Sequence, residues 1–128
     1  MLFRSVGAYL NVHEGPQSIS PRGASAPLEP GNIQSNEPGY YEPGRFGIRI
    51  ENLVEVVARK GPVGRPDGLA FATLTLCPID TKPLDMGLMT ADEVAWLNAY
   101  HRRVRKTLSP LLPPAPRRWL QGATRPLD

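Results

Sequence analysis

Two glutamates, Glu37 and Glu51, flank a stretch broken by proline and glycine, EPGYYEPGRFGIRIEN over residues 37–52. Carboxylate oxygens suit hard divalent cations, and glutamates on neighbouring strands could bridge two such ions and prepare a water for hydrolysis. Side chains two apart on a strand share a face, so Arg49 sets a guanidinium beside Glu51. The same pattern describes the wetted side of an antiparallel sheet, with Arg49 and Glu51 merely exposed. Spacing alone leaves both readings open and leans to the wetted face. His13, at the end of the alternating run YLNVH over 9–13, is a further candidate, since imidazole titrates near neutral pH. A lone histidine is, however, more often a surface or core residue.

The elements that would position these groups can be read from period and punctuation. Pro38, Gly39, Pro43 and Gly44 exclude helix and force turns, which predicts strand ends joined by a tight loop. The run from Phe46 to Val57 reads as one strand, with Ile48, Ile50, Asn52, Val54 and Val56 on the core face and Arg49 and Glu51 on the other. Residues 33–37 make a weaker strand, because Asn32, Gln34 and Asn36 leave one face polar, and residues 16–31 read as loop after a break at Glu14-Gly15-Pro16. A further strand is expected over Leu69–Ile79, with Cys77 as a buried free thiol. Thr90 and Glu93 form a Thr-x-x-Glu capping box for a helix over 90–109. Its apolar stripe is Val94, Leu97, His101, Val104, Leu108 and Leu111, with Trp96 and Tyr100 off it. The tail PPAPRRWLQGATRPL carries Trp119 and Leu120 as a docking anchor.

Composition narrows the classes. A chain of 128 residues suits one domain with a real core, and its 15 prolines and 12 glycines favour turns over a helical bundle. The net charge of +3 is a mild excess. The basic cluster Arg102, Arg103, Arg105 and Lys106 reads as the solvated face of its helix, so no nucleic-acid partner is expected. No apolar run is long enough to span a membrane, and the N-terminus lacks a signal peptide's apolar region, so a cytoplasmic chain is expected. Gly-rich phosphate loops, the G-x-S-x-G elbow and Cys/His zinc spacings are missing.

The motifs NVHEGP at 11–16, SNEPGYYEPGRFGIRIEN at 35–52, LTLCPID at 74–80, LMTADEVAWLNAYHRRV at 88–104 and WLQGATRPL at 119–127 together resemble the C-terminal part of aminopeptidase P. This is the Xaa-Pro aminopeptidase of the M24 metallopeptidases, which have the pita-bread fold. The resemblance implies an α+β chain: the C-terminal part of a curved antiparallel sheet over residues 1–66, then a C-terminal extension over 67–128 with a packing or dimer role. It implies that Glu37 and Glu51 are ligands of a two-ion centre, usually Mn2+, with Zn2+ or Co2+ as alternatives. It also implies that Glu37 takes a proton from the attacking water, that His13 helps to stabilise the tetrahedral intermediate, and that His13 and Arg49 meet a proline-containing peptide substrate.

The same resemblance implies ligands that do not align to this chain. The two aspartates fall before Met1, and Arg4 stands where the family has a metal-binding histidine. The chain is therefore expected to be inactive alone, as a truncated aminopeptidase portion from a shortened gene, frameshift or misplaced start. Two alternatives are a noncatalytic protein-binding or dimerisation module and an enzyme completed by a separate chain that supplies the missing N-terminal half. A sheet cut short leaves an apolar face and an open edge, which favours a homodimer.

Overall fold

From Asn52 to Arg59 the side chains alternate between buried and half-buried before the strand end emerges, and this strand anchors the sheet in a computed structural model that describes residues 3–6, 14–19 and 26–128. The strands are β1 (Phe3–Ser5), β2 (Glu14–Ile19), β3 (Ile33–Asn36), β4 (Gly39–Glu42), β5 (Phe46–Arg49), β6 (Asn52–Arg59) and β7 (Gly68–Thr73). Five of them form an antiparallel sheet in the order β2-β1-β3-β6-β7, while β4 and β5 make a separate hairpin. By contacts along the chain there are two compact units, Met1–Thr75 and Leu76–Asp128.

The expected single strand over 46–57 is two strands in two sheets. The amide of Ile50 donates to the Pro38 carbonyl (3.1 Å), which closes the hairpin, and the chain then enters the larger sheet at Asn52. Only Asn52, Val54 and Val56 are buried; Ile48 and Ile50 are exposed. Along that face, Ile48, Ile50, Val54 and Val56 are interrupted only by Asn52 at the switch itself, a single polar residue that does not by itself announce a change of sheet. The loop expected at 16–31 also needs correction, because β2 reaches Ile19 and pairs with β1. β2 lies at the sheet edge, where Pro16 can be tolerated without an amide N–H. β3 is central in the sheet, which explains why Gln34 and Ser35 are fully buried despite their polarity.

The strand expected to reach Ile79 stops at Thr73. Leu53 donates its amide to the Thr75 hydroxyl (2.8 Å), and Leu74 donates to the Leu53 carbonyl (2.8 Å), so a side chain takes over from the backbone ladder. Cys77 follows this end and is exposed, not buried. Its backbone is held instead: the Cys77 amide donates to the Tyr100 hydroxyl (3.3 Å), which donates to the Cys77 carbonyl (2.9 Å).

The second unit is helical. Helix α1 (Ala91–Leu108) begins at the expected capping box: Glu93 donates its amide to Thr90 Oγ1 (3.3 Å), and the Thr90 amide donates to Glu93 Oε2 (2.8 Å). A single 3-10 turn (Ser109–Leu111) leads to α2 (Pro114–Ala123), which the proline-rich tail did not suggest. Leu97, Tyr100 and Val104 of α1 pack with Leu120 of α2 as the core. Tyr100 thus belongs to the buried face, whereas Leu111, past the proline, is 75% exposed. Of the expected anchor pair, Leu120 is buried and Trp119 is 66% exposed.

Candidate functional site

The β4–β5 hairpin brings the carboxylates together. Its three-residue turn runs through Gly44 in the left-handed region (φ 73°), with Arg45 donating its amide to the Glu42 carbonyl (3.0 Å). Glu37 precedes β4 and Glu51 follows β5, so antiparallel pairing returns the chain from one to the other; Gly39 lies opposite Arg49. Tyr41 lies opposite Gly47, where a Cβ would stand 2.7 Å from the Tyr41 ring. Glycine there lets the ring lie flat across the hairpin.

Arg49 stands between the two glutamates. Its Nη1 is 3.5 Å from Glu37 Oε2 and 3.5 Å from Glu51 Oε2. Its Nε donates to the Tyr41 hydroxyl (2.7 Å), and the guanidinium lies 5.8 Å from the Tyr41 ring centre. That hydroxyl first, then the carboxylates of Glu51 and Glu37, raise the guanidinium's pKa above its ordinary value. The Glu37 side chain is only 9% exposed, and its Oε1 accepts a hydrogen bond from the Ser35 hydroxyl (2.9 Å). One cation thus faces two anions, which leaves the cluster with a net negative charge.

Sequence reasoning named Glu37, Arg49 and Glu51, and all three meet here. It missed Ser35 and Tyr41. Ser35 precedes Glu37 by two positions and so was available from strand period; Tyr41 required the hairpin register, which loop length sets. His13 lies outside the described residues. Arg4 is in β1, with Ser35 as its partner in the β1–β3 register.

A hard divalent ion takes oxygen donors, commonly six or more for calcium and six for magnesium, and two carboxylates supply only part of such a shell. Among the described residues no group of three or more His, Cys, Asp or Glu side chains could hold a metal ion. Arg49 also puts a positive charge where an ion bridging these carboxylates would lie. The described residues alone do not fit a resident two-ion centre.

Metallopeptidase family M24 matches residues 3–58, and the C-terminal region of peptidase M24 matches residues 67–127. The chain belongs to the M24 metallopeptidase family. This M24 chain is 53% identical over 126 residues to aminopeptidase P2 of Arabidopsis thaliana, covering 95% of the chain and 18% of that protein. It is 48% identical to a probable Xaa-Pro aminopeptidase P of Coprinopsis cinerea, of which it covers 21%. The X-prolyl aminopeptidase of Caenorhabditis elegans, described as a cytosolic enzyme with a di-nuclear active site, superimposes with a TM-score of 0.85 at 38% identity over 98% of this chain and 21% of that one. The M24 chain therefore spans about a fifth of the length of these relatives, and its α+β architecture is that of the C-terminal part of the pita-bread fold. None of its described helices is long and apolar enough to cross a membrane.

Proposed function

We propose that this chain carries the glutamate pair of an Xaa-Pro aminopeptidase centre and does not hydrolyse peptides by itself. The observation behind this reading is the meeting of Glu37 and Glu51 on the single guanidinium of Arg49. In a completed site Glu37 and Glu51 would hold the metal, which would activate a water for hydrolysis; Glu37 would also accept that water's proton, and Arg49 with His13 would contact a proline-containing peptide. Manganese is the ion assigned, with zinc or cobalt as substitutes, and a cytoplasmic location accords with the cytosolic nematode relative. Residues 1–66 are assigned to the catalytic portion and residues 67–128 to the extension.

Calorimetric titration of the chain with manganese, run beside hydrolysis of an Xaa-Pro peptide, tests this. The reading expects weak binding, no turnover, and further weakening in Glu37→Ala and Glu51→Ala. Tight binding of two ions with turnover that both variants abolish would show the site to be complete within this chain.

A second reading, a noncatalytic binding or dimerisation module, is favoured by the exposed hairpin residues Tyr40 (61%), Phe46 (48%) and Ile48 (46%). Sedimentation over a concentration series separates the readings, since a homodimer must dissociate on dilution.

A further inference from the structure

A groove of about 530 Å3 lies wholly within the second unit, between the 78–82 segment and α2. Small-molecule sites commonly fall between about 300 and 1,000 Å3, lined mainly by apolar groups with a few convergent polar ones. Ile79, Trp119 and Ala123 supply the apolar lining, and Lys82 and Arg118 bring two cations to the same groove.

The one acid that lines it, Asp80, is engaged with its own backbone, where Oδ1 accepts from the Lys82 amide (3.1 Å). Among the described residues no carboxylate lies within ion-pair distance of the Lys82 ammonium or the Arg118 guanidinium. The wall opposite α2 is held in place. The Ile79 amide donates to Nε2 of the buried His101 (3.1 Å), and Tyr100 fixes Cys77 through both its backbone groups. A wall already ordered lowers the entropy that a ligand must overcome.

We propose that this groove binds the C-terminal end of an apolar peptide. The terminal carboxylate pairs with Lys82 and Arg118, and the last side chain lies against Trp119 and Ile79. A C-terminal residue carries its charge and its apolar group on one Cα, which matches cations and an indole lining a single short groove. The chain's own tail is committed elsewhere: Leu127 donates its amide to Asn98 Oδ1 (2.8 Å) and accepts from Asn98 Nδ2 (2.9 Å). The peptide therefore comes from another molecule.

The chain has two tryptophans, so a Trp96→Phe background leaves Trp119 as the single indole reporter. The probe is N-acetyl-Ile-Leu as the free acid, compared with its C-terminal amide and with inorganic phosphate. The free acid is expected to change Trp119 emission saturably, with a Kd of about 1 mM or tighter. Amidation, Lys82→Gln or Arg118→Gln should each weaken binding on the order of tenfold, as loss of a charge-assisted contact does. On the unmutated chain, the amide signals of Ile79 and Ala123 should shift with the same affinity. Equal binding of acid and amide overturns the proposal, as do phosphate binding as tightly as the peptide and flat emission and amide signals up to about 10 mM peptide.

Discussion

The two units solve burial differently. In Leu76–Asp128, two helices close on Leu97, Tyr100, Val104 and Leu120, all nearly inaccessible to water. In Met1–Thr75, the buried apolar residues described are Val54 and Val56, with Gln34, Ser35 and Asn52 buried beside them and Tyr40, Tyr41, Phe46, Ile48 and Ile50 left exposed. The helical unit has the larger buried apolar cluster, although Leu88, Trp96, Leu111 and Trp119 stay exposed. The sheet unit keeps polar groups inside, and the hairpin that joins its carboxylates faces water. The paired carboxylates thus sit in the unit with the thinner described core.

The largest effect that would sharpen this contrast is Leu120→Ala, which opens a cavity in the helical core. It should cost about 2–5 kcal/mol, read from the urea midpoint of α-helical circular dichroism. A loss under about 1 kcal/mol would mean that the core collapses easily and the contrast is false.

Acid should act next, and on the same unit. His101 accepts from the Ile79 amide at Nε2, so the neutral ring carries its proton on Nδ1, an atom buried with no hydrogen-bond partner among the described residues. Burial lowers its pKa from the ordinary 6.5, and Arg105 lowers it further. With the folded pKa below the unfolded one, the unfolded chain takes up the proton first. Stability is full above the unfolded value and falls as pH drops toward the folded one. Thermal melts between about pH 7 and about pH 5 should show this loss, and His101→Gln should flatten the slope without reversing it. An unchanged slope in the variant would assign the acid sensitivity elsewhere.

The smallest effect is expected in the sheet unit. Arg49 is half exposed and its ion pairs are long, so Arg49→Met should leave the urea midpoint nearly unchanged. A clear fall in that midpoint would make the hairpin charges structural and blur the division between the units.

How far the sequence carried differs between the units for a physical reason. Helix α1 was legible because Thr90 and Glu93 mark its start locally and Leu97, His101 and Val104 repeat at helical spacing. Helix α2 was not, because Pro113, Pro114 and Pro116 look like a loop, although proline fits a helix's first turn, where its missing N–H costs nothing. The carboxylates were legible as residue types. Their meeting on Arg49 depends on hairpin register, and the departure of the chain from β5 into β6 after Ile50 is marked in the alternation only by the polar Asn52.

Strand β7 has a consequence for how the chain can be divided. It lies in the part that matches the family's C-terminal region, yet its ladder runs along β6 from Val54 opposite Thr73 to Arg59 opposite Gly68. A recombination joint near residue 66 would bring two hydrogen-bonded strands from different parents, and a protease cut there would remove the covalent link between them. The tolerant place for a crossover lies after Thr75, so an exchange of segments between relatives should carry this strand with the sheet and not with the helices.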